Sequence, residues 1–222
     1  NSMFPQLCSN SSVIITNAKG MNAGPVSEYV FAQIMYFAKR MNDSIRFHKN
    51  GNWRQWAISK NIIQLSGKTI GIIGFGNIGK AIACKANSFN MKILAVDKFV
   101  KKEDKHLAEK IFTIDKVNEL LTNSDFVVLS VPLTPETKGL ISEKEIHLMK
   151  ESAYLINVSR GGVICESDLI NSLKNNWIAG AAIDVFEKEP PDKDNPFFKL
   201  ENVFLSPHLA GNYPEFQDDI VS

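Results

Sequence analysis

Three polar side chains, distant along the chain, are of the types that acid–base chemistry on a carboxylate-bearing molecule requires. Arg160 ends an apolar segment and precedes two glycines, Glu189 precedes Pro190, and His208 follows Pro207. A guanidinium pairs in a bidentate way with a carboxylate, and an imidazole exchanges a proton near neutral pH. Taken singly, each has a plainer interpretation: a surface ion pair for Arg160, a solvated acidic loop around Glu189 and a structural role for His208.

A glycine-rich turn provides a second candidate site, for a phosphate-bearing ligand. The motif G-F-G-N-I-G runs from Gly74 to Gly79, after an apolar segment and before a helical one. Gly74 permits a tight turn, Gly76 lets the backbone approach a pyrophosphate, and Gly79 lets the following helix pack closely. Asp97 lies 23 residues beyond Gly74, where a carboxylate accepts the ribose hydroxyls of a dinucleotide. The motif predicts NAD rather than NADP, because Asp97 repels a 2′-phosphate. A turn that serves only helix–strand packing is the alternative.

The elements that must position these residues alternate along the chain. Short apolar segments predict strands at 13–16, 69–74, 91–96, 111–113, 125–131, 153–158, 178–183 and 203–205. Amphipathic spacing predicts helices at 26–41, 78–88, 117–121, 142–149 and 167–174, with 42–66 as an irregular linker. Strands separated by helices imply right-handed βαβ units. We therefore predict the α/β class, with a doubly wound parallel sheet.

Composition narrows the function classes. The chain of 222 residues has 25 Lys and Arg against 24 Asp and Glu, which argues against a nucleic-acid partner. No apolar run approaches the roughly 18–20 residues that span a bilayer, so we expect no membrane partner. Three cysteines without Cys-x-x-Cys spacing predict neither a disulfide framework nor a metal site. These features favour a reducing, cytoplasmic compartment.

Six blocks of sequence, in this order, resemble the D-isomer-specific 2-hydroxyacid dehydrogenase family. They are T-N-A at 16–18, the glycine turn at 74–79, V-P-L-T-P-E-T at 131–137, N-V-S-R-G-G at 157–162, D-V-F-E-K-E-P at 184–190 and P-H at 207–208. The likeness extends from about Val13 to Glu215. It implies a Rossmann-type NAD-binding domain and an NAD-dependent oxidoreductase that acts on a small D-2-hydroxy acid or 2-keto acid.

The resemblance also implies roles for individual residues. Arg160 would hold the substrate, Glu189 would orient the histidine, and His208 would be the catalytic acid and base. The cofactor would contact Gly74, Gly76, Asn77, Ile78, Gly79, Asp97, Val131, Pro132, Val158, Ser159, Asp184 and Gly211. Among these, Asp184 would lie near the nicotinamide carboxamide.

The resemblance covers mainly one lobe of the family's two. We expect residues 1–16 to be a remnant of the substrate lobe, 17–207 the dinucleotide-binding domain and 208–222 a segment that returns towards the substrate lobe. A fragment of a longer protein and a truncated gene both fit this pattern.

Two further functions and a partner remain open. An NAD-sensing protein similar to the family's corepressors would keep the same three residues, and an inactive scaffold would keep the fold alone. In the predicted helix 26–41, Tyr29, Phe31 and Met35 lie outside a single apolar stripe. We therefore expect a homodimer, with burial inside the same chain as the alternative.

Overall fold

The computed structural model describes residues 20–99 and 102–214. The predicted strand at 13–16, the T-N-A block and the proposed lobe remnant at 1–16 lie outside these residues. The proposed domain boundaries remain predictions. Among the described residues, no helix has both the length and the apolar character needed to cross a bilayer.

Within residues 20–99 and 102–214, seven parallel strands form one sheet in the order β3-β2-β1-β4-β5-β6-β7. They are β1 (Thr69–Ile73), β2 (Lys92–Val96), β3 (Lys110–Phe112), β4 (Phe126–Leu129), β5 (Tyr154–Asn157), β6 (Gly180–Ile183) and β7 (Val203–Leu205). The strand order reverses between β1 and β4. This arrangement confirms the predicted doubly wound α/β fold, and ligands bind such sheets outside the carboxyl ends of the strands near that reversal.

Seven α-helices accompany the strands in the described part of the chain. They are α1 (Ala23–Ala38), α2 (Met41–Asn50), α3 (Gln55–Ser59), α4 (Asn77–Ser88), α5 (Val117–Asn123), α6 (Glu143–His147) and α7 (Glu166–Lys174). Short 3-10 segments lie at Lys102–His106, Ile114–Lys116, Gly161–Val163 and Pro196–Lys199. Ser142 and Glu145 form a capping box at the start of α6.

The core lies on both faces of the sheet. Val128 belongs to one buried cluster, which includes residues of α1 and α4. Its neighbours in β4, Val127 and Leu129, belong to the other cluster, which includes residues of α5 and α7. Because helices cover both faces, the strands read as continuous apolar runs rather than alternating ones.

The structure corrects the predictions for residues 26–66. The first helix ends at Ala38, Arg40 adopts a left-handed φ of 53°, and a second helix begins at Met41. The predicted linker at 42–66 contains α2 and α3, neither of which has a buried residue. Only Met41, Ile45 and Phe47 are apolar among the ten residues of α2, so the sequence predicts a polar linker there rather than a helix.

The apolar residues of α1 from which we expected a homodimer are buried or half-buried within the chain. Phe31 is only 7% exposed, and its ring stacks on Phe89 with centroids 5.1 Å apart. Tyr29 and Met35 are half-buried against the same core cluster. Burial within the chain therefore explains Phe31, without a second subunit.

Candidate active site

The predicted site residues meet at one edge of the sheet. Each follows the carboxyl end of a strand, and all seven strands are parallel, so these ends lie together. The placements are Gly74 after β1, Asp97 after β2, Val131 and Pro132 after β4, Val158 to Arg160 after β5, Asp184 after β6 and His208 after β7.

The glycine turn has the geometry that its sequence predicts. Gly74 has a φ of 97°, and a Cβ there would lie 2.7 Å from the Ser130 carbonyl oxygen. A Cβ on Gly79 would lie 2.1 Å from the Gly74 oxygen, so the start of α4 packs directly on the turn. A Cβ on Gly76 would meet no atom within 4 Å. Packing within the chain does not require glycine at 76, whereas the close approach of a pyrophosphate does.

Asp97 is anchored beside this turn. Its Oδ2 accepts the Phe75 N–H at 2.6 Å, and its Oδ1 accepts the Phe99 N–H at 2.8 Å. Each carboxylate oxygen has a second lone pair, so both oxygens can also accept ribose hydroxyls. Asp97 therefore lies beside the turn with oxygens that can accept ribose hydroxyls, as the sequence predicts.

A groove of about 480 Å³ adjoins the turn and Asp97. It is lined by Gly74, Gly76, Val96, Asp97, Lys98, Phe99, Ile114, Ser130, Val131, Pro132, Thr134, Glu136 and Thr137. Largely apolar walls that include the Asp97 carboxylate suit the nucleoside half of a dinucleotide. The residues present thus fit NAD, by the open space at Gly76 as well as by this groove.

The V-P-L-T-P-E-T block forms one wall of that groove, and hydrogen bonds of Thr137 hold the block in a turn. The Thr137 hydroxyl donates to the Pro132 carbonyl oxygen at 2.6 Å and accepts the Thr134 N–H at 2.8 Å. Ser130, just before the block, donates its hydroxyl to the Gly74 carbonyl oxygen at 2.8 Å. Sequence reasoning assigned no role to Ser130, because its partner Gly74 is 56 residues away and becomes its neighbour only through the fold.

A second cavity, of about 430 Å³, links the cofactor turn to Arg160. It is lined by Ile78, Ser130, Val131, Pro132, Leu133, Val158, Ser159 and Arg160. Five of the predicted cofactor contacts therefore border the same space as the predicted substrate-binding arginine. The arrangement allows a molecule bound on the turn to extend towards Arg160.

Asn157 shapes the turn that presents Arg160. Its amide donates to the Arg160 carbonyl oxygen at 3.1 Å, and its Oδ1 accepts the Ser159 N–H at 3.0 Å and the Ser159 hydroxyl at 2.7 Å. The Arg160 side chain is exposed. A Cβ on Gly161 would lie 1.9 Å from the Phe186 carbonyl carbon, so this turn packs against the loop after β6.

His208 and Glu189 form a hydrogen-bonded pair. The His208 Nδ1 lies 2.8 Å from the Glu189 Oε2, and the Glu189 Oε1 accepts the Phe186 N–H at 3.0 Å. Partial burial acts to raise the pKa of Glu189, but the hydrogen bonds from His208 and Phe186 and the positive charge of Arg160 outweigh it and hold the pKa below its ordinary value. Glu189 is thus hydrogen-bonded to His208 and lies within the electrostatic influence of Arg160.

Asp184 supports the loop that carries His208. It is only 1% exposed; its Oδ1 accepts the Ser206 hydroxyl at 2.6 Å and the Leu209 N–H at 2.8 Å, and its Oδ2 accepts the Ala210 N–H at 2.9 Å. The His208 N–H donates to the Asp184 carbonyl oxygen at 2.8 Å. The role found here is structural, whereas contact with a nicotinamide remains a prediction.

The segment before α1 lies close to the start of α4 and to the loop that follows His208. A Cβ on Gly20 would lie 3.0 Å from the Asn77 amide nitrogen, at the start of the cofactor helix. A Cβ on Gly211 would lie 3.2 Å from the Asn22 amide nitrogen. Gly211, predicted as a cofactor contact, therefore lies beside α1, three residues beyond His208.

Comparison with known proteins agrees with this geometry. Residues 31–210 match the family model of the D-isomer specific 2-hydroxyacid dehydrogenase, NAD binding domain. A glyoxylate reductase from Korarchaeum cryptofilum is 41% identical over 202 residues, which are 89% of this chain and 60% of that protein. A D-3-phosphoglycerate dehydrogenase from Methanocaldococcus jannaschii is 36% identical over 214 residues, 96% of this chain and 40% of that protein.

Solved structures agree as well. An NAD-dependent formate dehydrogenase from Staphylococcus aureus, in complex with NAD, has a TM-score of 0.83 and 28% identity, over 91% of this chain and 60% of that one. The chain spans about 60% of the length of the glyoxylate reductases that it matches. With the family model matching residues 31–210, most of its length, the chain belongs to the D-isomer-specific 2-hydroxyacid dehydrogenase family.

Proposed function

We propose that the protein is an NAD-dependent oxidoreductase that interconverts a small D-2-hydroxy acid and its 2-keto acid. The observation that carries the proposal is the 2.8 Å contact between His208 Nδ1 and Glu189 Oε2 at the edge that also presents the glycine turn. An imidazole held by a carboxylate beside a dinucleotide site suits proton transfer coupled to hydride transfer. The names of the relatives, glyoxylate reductase and D-3-phosphoglycerate dehydrogenase, support the same reaction class.

Each of the three residues has a distinct task in this proposal. Bound NADH supplies the hydride. Glu189 fixes the His208 ring through Nδ1, so Nε2, on the opposite side of the ring, donates a proton to the carbonyl oxygen in reduction and recovers it in oxidation. The exposed Arg160 guanidinium pairs with the substrate carboxylate and so sets the orientation of the carbonyl.

Substitution of His208 tests the proposal. We expect His208→Ala to lower the rate of NADH oxidation with 2-keto acids by about 10²- to 10⁴-fold, the usual contribution of a general acid. The variant would still bind NADH, since the glycine turn and Asp97 are untouched; the rate is followed by absorbance and binding by fluorescence. His48→Ala, which changes an exposed histidine on α2, is the control and would keep the wild-type rate.

The substrate panel for this assay contains glyoxylate, a larger unphosphorylated 2-keto acid and a phosphorylated one. Turnover of any of them by the wild-type protein supports the reaction class. The proposed reaction class would be contradicted if the protein bound NADH but turned over none of the three substrates. A His208→Ala variant with near-normal rates would also contradict it.

We also propose that the protein prefers NAD to NADP. Asp97 lies beside the turn with both oxygens held by backbone N–H groups, so a 2′-phosphate would meet a fixed negative charge. Titration with NADH and NADPH would give weaker binding of NADPH. Asp97→Ser would reduce the difference in affinity between NADH and NADPH. Equal affinities for the two in the wild-type protein would refute the preference for NAD.

Self-association is proposed for a different surface from the one first expected. Large apolar side chains are exposed on residues 41–62, among them Trp53 at 73% and Trp56 at 76%. Such a patch is typical of an interface with another protein surface. Sedimentation is expected to show a homodimer that Trp56→Ser weakens and that Phe198→Ser, a change at another exposed apolar residue, leaves intact. A monomeric wild-type protein would rule out the dimer.

A further inference from the structure

Two glutamates outside the three predicted catalytic residues join α7 to the loop after β6. The Glu166 N–H donates to the Glu187 Oε1 at 3.1 Å, and the Glu187 N–H donates in return to the Glu166 Oε1. Glu166 is the first residue of α7, so Glu187 satisfies a helix N–H that has no partner within the helix. We refer to this reciprocal pair, Glu166 and Glu187, as the glutamate clasp.

The clasp holds the loop next to the residue that orients His208. Glu187 lies between Phe186, whose N–H donates to Glu189, and Glu189 itself, two residues further on. On its other side the same loop rests against Gly161, where the would-be Cβ lies 1.9 Å from the Phe186 backbone. The loop is thus fixed between the turn that presents Arg160 and the N-terminus of α7.

The clasp also carries an electrostatic cost. Burial and the negative charges of Glu187 and Glu189 raise the pKa of Glu166, although the hydrogen bond from the Glu187 N–H opposes the rise. A glutamine at 166 would accept the same hydrogen bond without the repulsion.

We propose that Glu166 and Glu187 are positioning residues for the His208–Glu189 pair. By fixing the backbone at Phe186 and Glu187 they aim the Glu189 carboxylate at the histidine Nδ1. The inference rests on the function proposed above for the part that concerns rate. It predicts that loss of the clasp lowers turnover by misplacing Glu189 while leaving the cofactor site unchanged.

Three variants of the first turn of α7 test this in the full-length protein. Glu166→Ala removes the acceptor for the Glu187 N–H, and we expect kcat to fall about tenfold with KM for NADH within about twofold, since small misplacements of catalytic groups are costly. Glu166→Gln keeps an acceptor oxygen and would restore kcat to within about threefold of wild type. Asp168→Ala is the matched control, because its carboxylate accepts the Glu143 N–H in α6 instead.

A spectroscopic measurement tests the clasp without turnover. The ring ¹H and ¹⁵N signals of His208, assigned by their loss in His208→Gln, report the hydrogen bond to Glu189. We expect Glu166→Ala to shift these signals and to speed amide exchange at Phe186 and Glu187, and Asp168→Ala to do neither.

The outcomes separate the two proposals. If wild type shows no turnover, the proposed function fails, and the His208 signals still decide whether the clasp positions Glu189. Unchanged His208 signals in Glu166→Ala would overturn the proposed positioning role of the clasp, as would an equal loss of kcat in Asp168→Ala. A Glu166→Gln variant as impaired as Glu166→Ala would overturn it too, because the acceptor would then not be what matters.

Discussion

Two aspartates join separate segments of the chain, one at the amino ends of the parallel strands (the amino edge) and one at their carboxyl ends (the carboxyl edge). The segments that they join differ in function. At the amino edge, Asp125 accepts the Thr69 N–H at 2.8 Å and pairs with the Lys150 ammonium at 2.9 Å. At the carboxyl edge, Asp184 accepts hydrogen bonds from the segment around His208. Asp125 joins the starts of two strands, whereas Asp184 holds a loop that carries a proposed catalytic group.

We therefore expect substitutions at the amino edge to change stability without changing turnover, and substitutions at the carboxyl edge to change both. The Asp125 side chain is 19% exposed and has a cation beside it, so a change there is partly offset by water. Asp184 is 1% exposed, and two of its described partners, the Ser206 hydroxyl and the Ala210 N–H, belong to buried residues. Substitutions at Asp184 should therefore lower both stability and turnover.

The largest effect is expected for Asp184→Ala. The change leaves the Ser206 hydroxyl and the Ala210 N–H, both in buried residues, without their acceptor, and each unsatisfied buried donor costs about 1–3 kcal/mol. We expect the free energy of unfolding to fall by about 3 kcal/mol and turnover to fall with it, as measured by chemical denaturation and NADH oxidation. A variant that unfolds like wild type would contradict the role assigned to Asp184.

A smaller effect is expected where the turn after β5 meets the loop after β6. Gly161→Ala would place a Cβ 1.9 Å from the Phe186 backbone, and such overpacking costs about 1–3 kcal/mol. Since the displaced loop carries Glu189, turnover should fall as well. Gly162→Ala is the adjacent control: its Cβ would lie 3.4 Å from the flexible Leu133 side chain. Equal stability and rates in the two variants would show that this contact does not matter.

The sequence predicted the features that depend on local pattern. The strands were predictable because helices cover both faces of the sheet and leave continuous apolar runs, as in β4. The glycine turn was predictable because close packing forbids a Cβ at Gly74 and Gly79. Arg160, Glu189 and His208 were found through motifs, and their convergence follows from a sheet whose strands all end at the same edge.

The features that the sequence missed depend on contacts between distant loops. The hydroxyl of Ser206 bonds to Asp184, 22 residues away, and Glu166 exchanges hydrogen bonds with Glu187, 21 residues away. Ordinary serines and glutamates in loops carry no periodic or spacing signal that would mark such partners. The helix α2 was missed for a different reason, since most of its residues are polar and the sequence therefore predicts a linker.

The smallest effect is expected at the amino edge, from Asp125→Asn. Burial acts to raise the pKa of Asp125, but the Thr69 N–H and Lys150 outweigh it and hold the pKa below its ordinary value. The folded state therefore binds fewer protons than the unfolded state as the carboxyl titrates, so its contribution to stability is present at neutral pH and is lost as pH falls through the lowered pKa.

Denaturation as a function of pH measures this contribution. At pH 7 we expect Asp125→Asn to lower the free energy of unfolding by about 1 kcal/mol, because asparagine keeps one acceptor but loses the ion pair. The difference from wild type should vanish in acid, and NADH oxidation should be unchanged at neutral pH. Glu119→Gln, in an exposed ion pair with Lys110 and Lys116, is the control and would change stability by only a few tenths of a kcal/mol. Loss of turnover in Asp125→Asn would mean that the two edges are coupled, and the contrast with Asp184 would then fail.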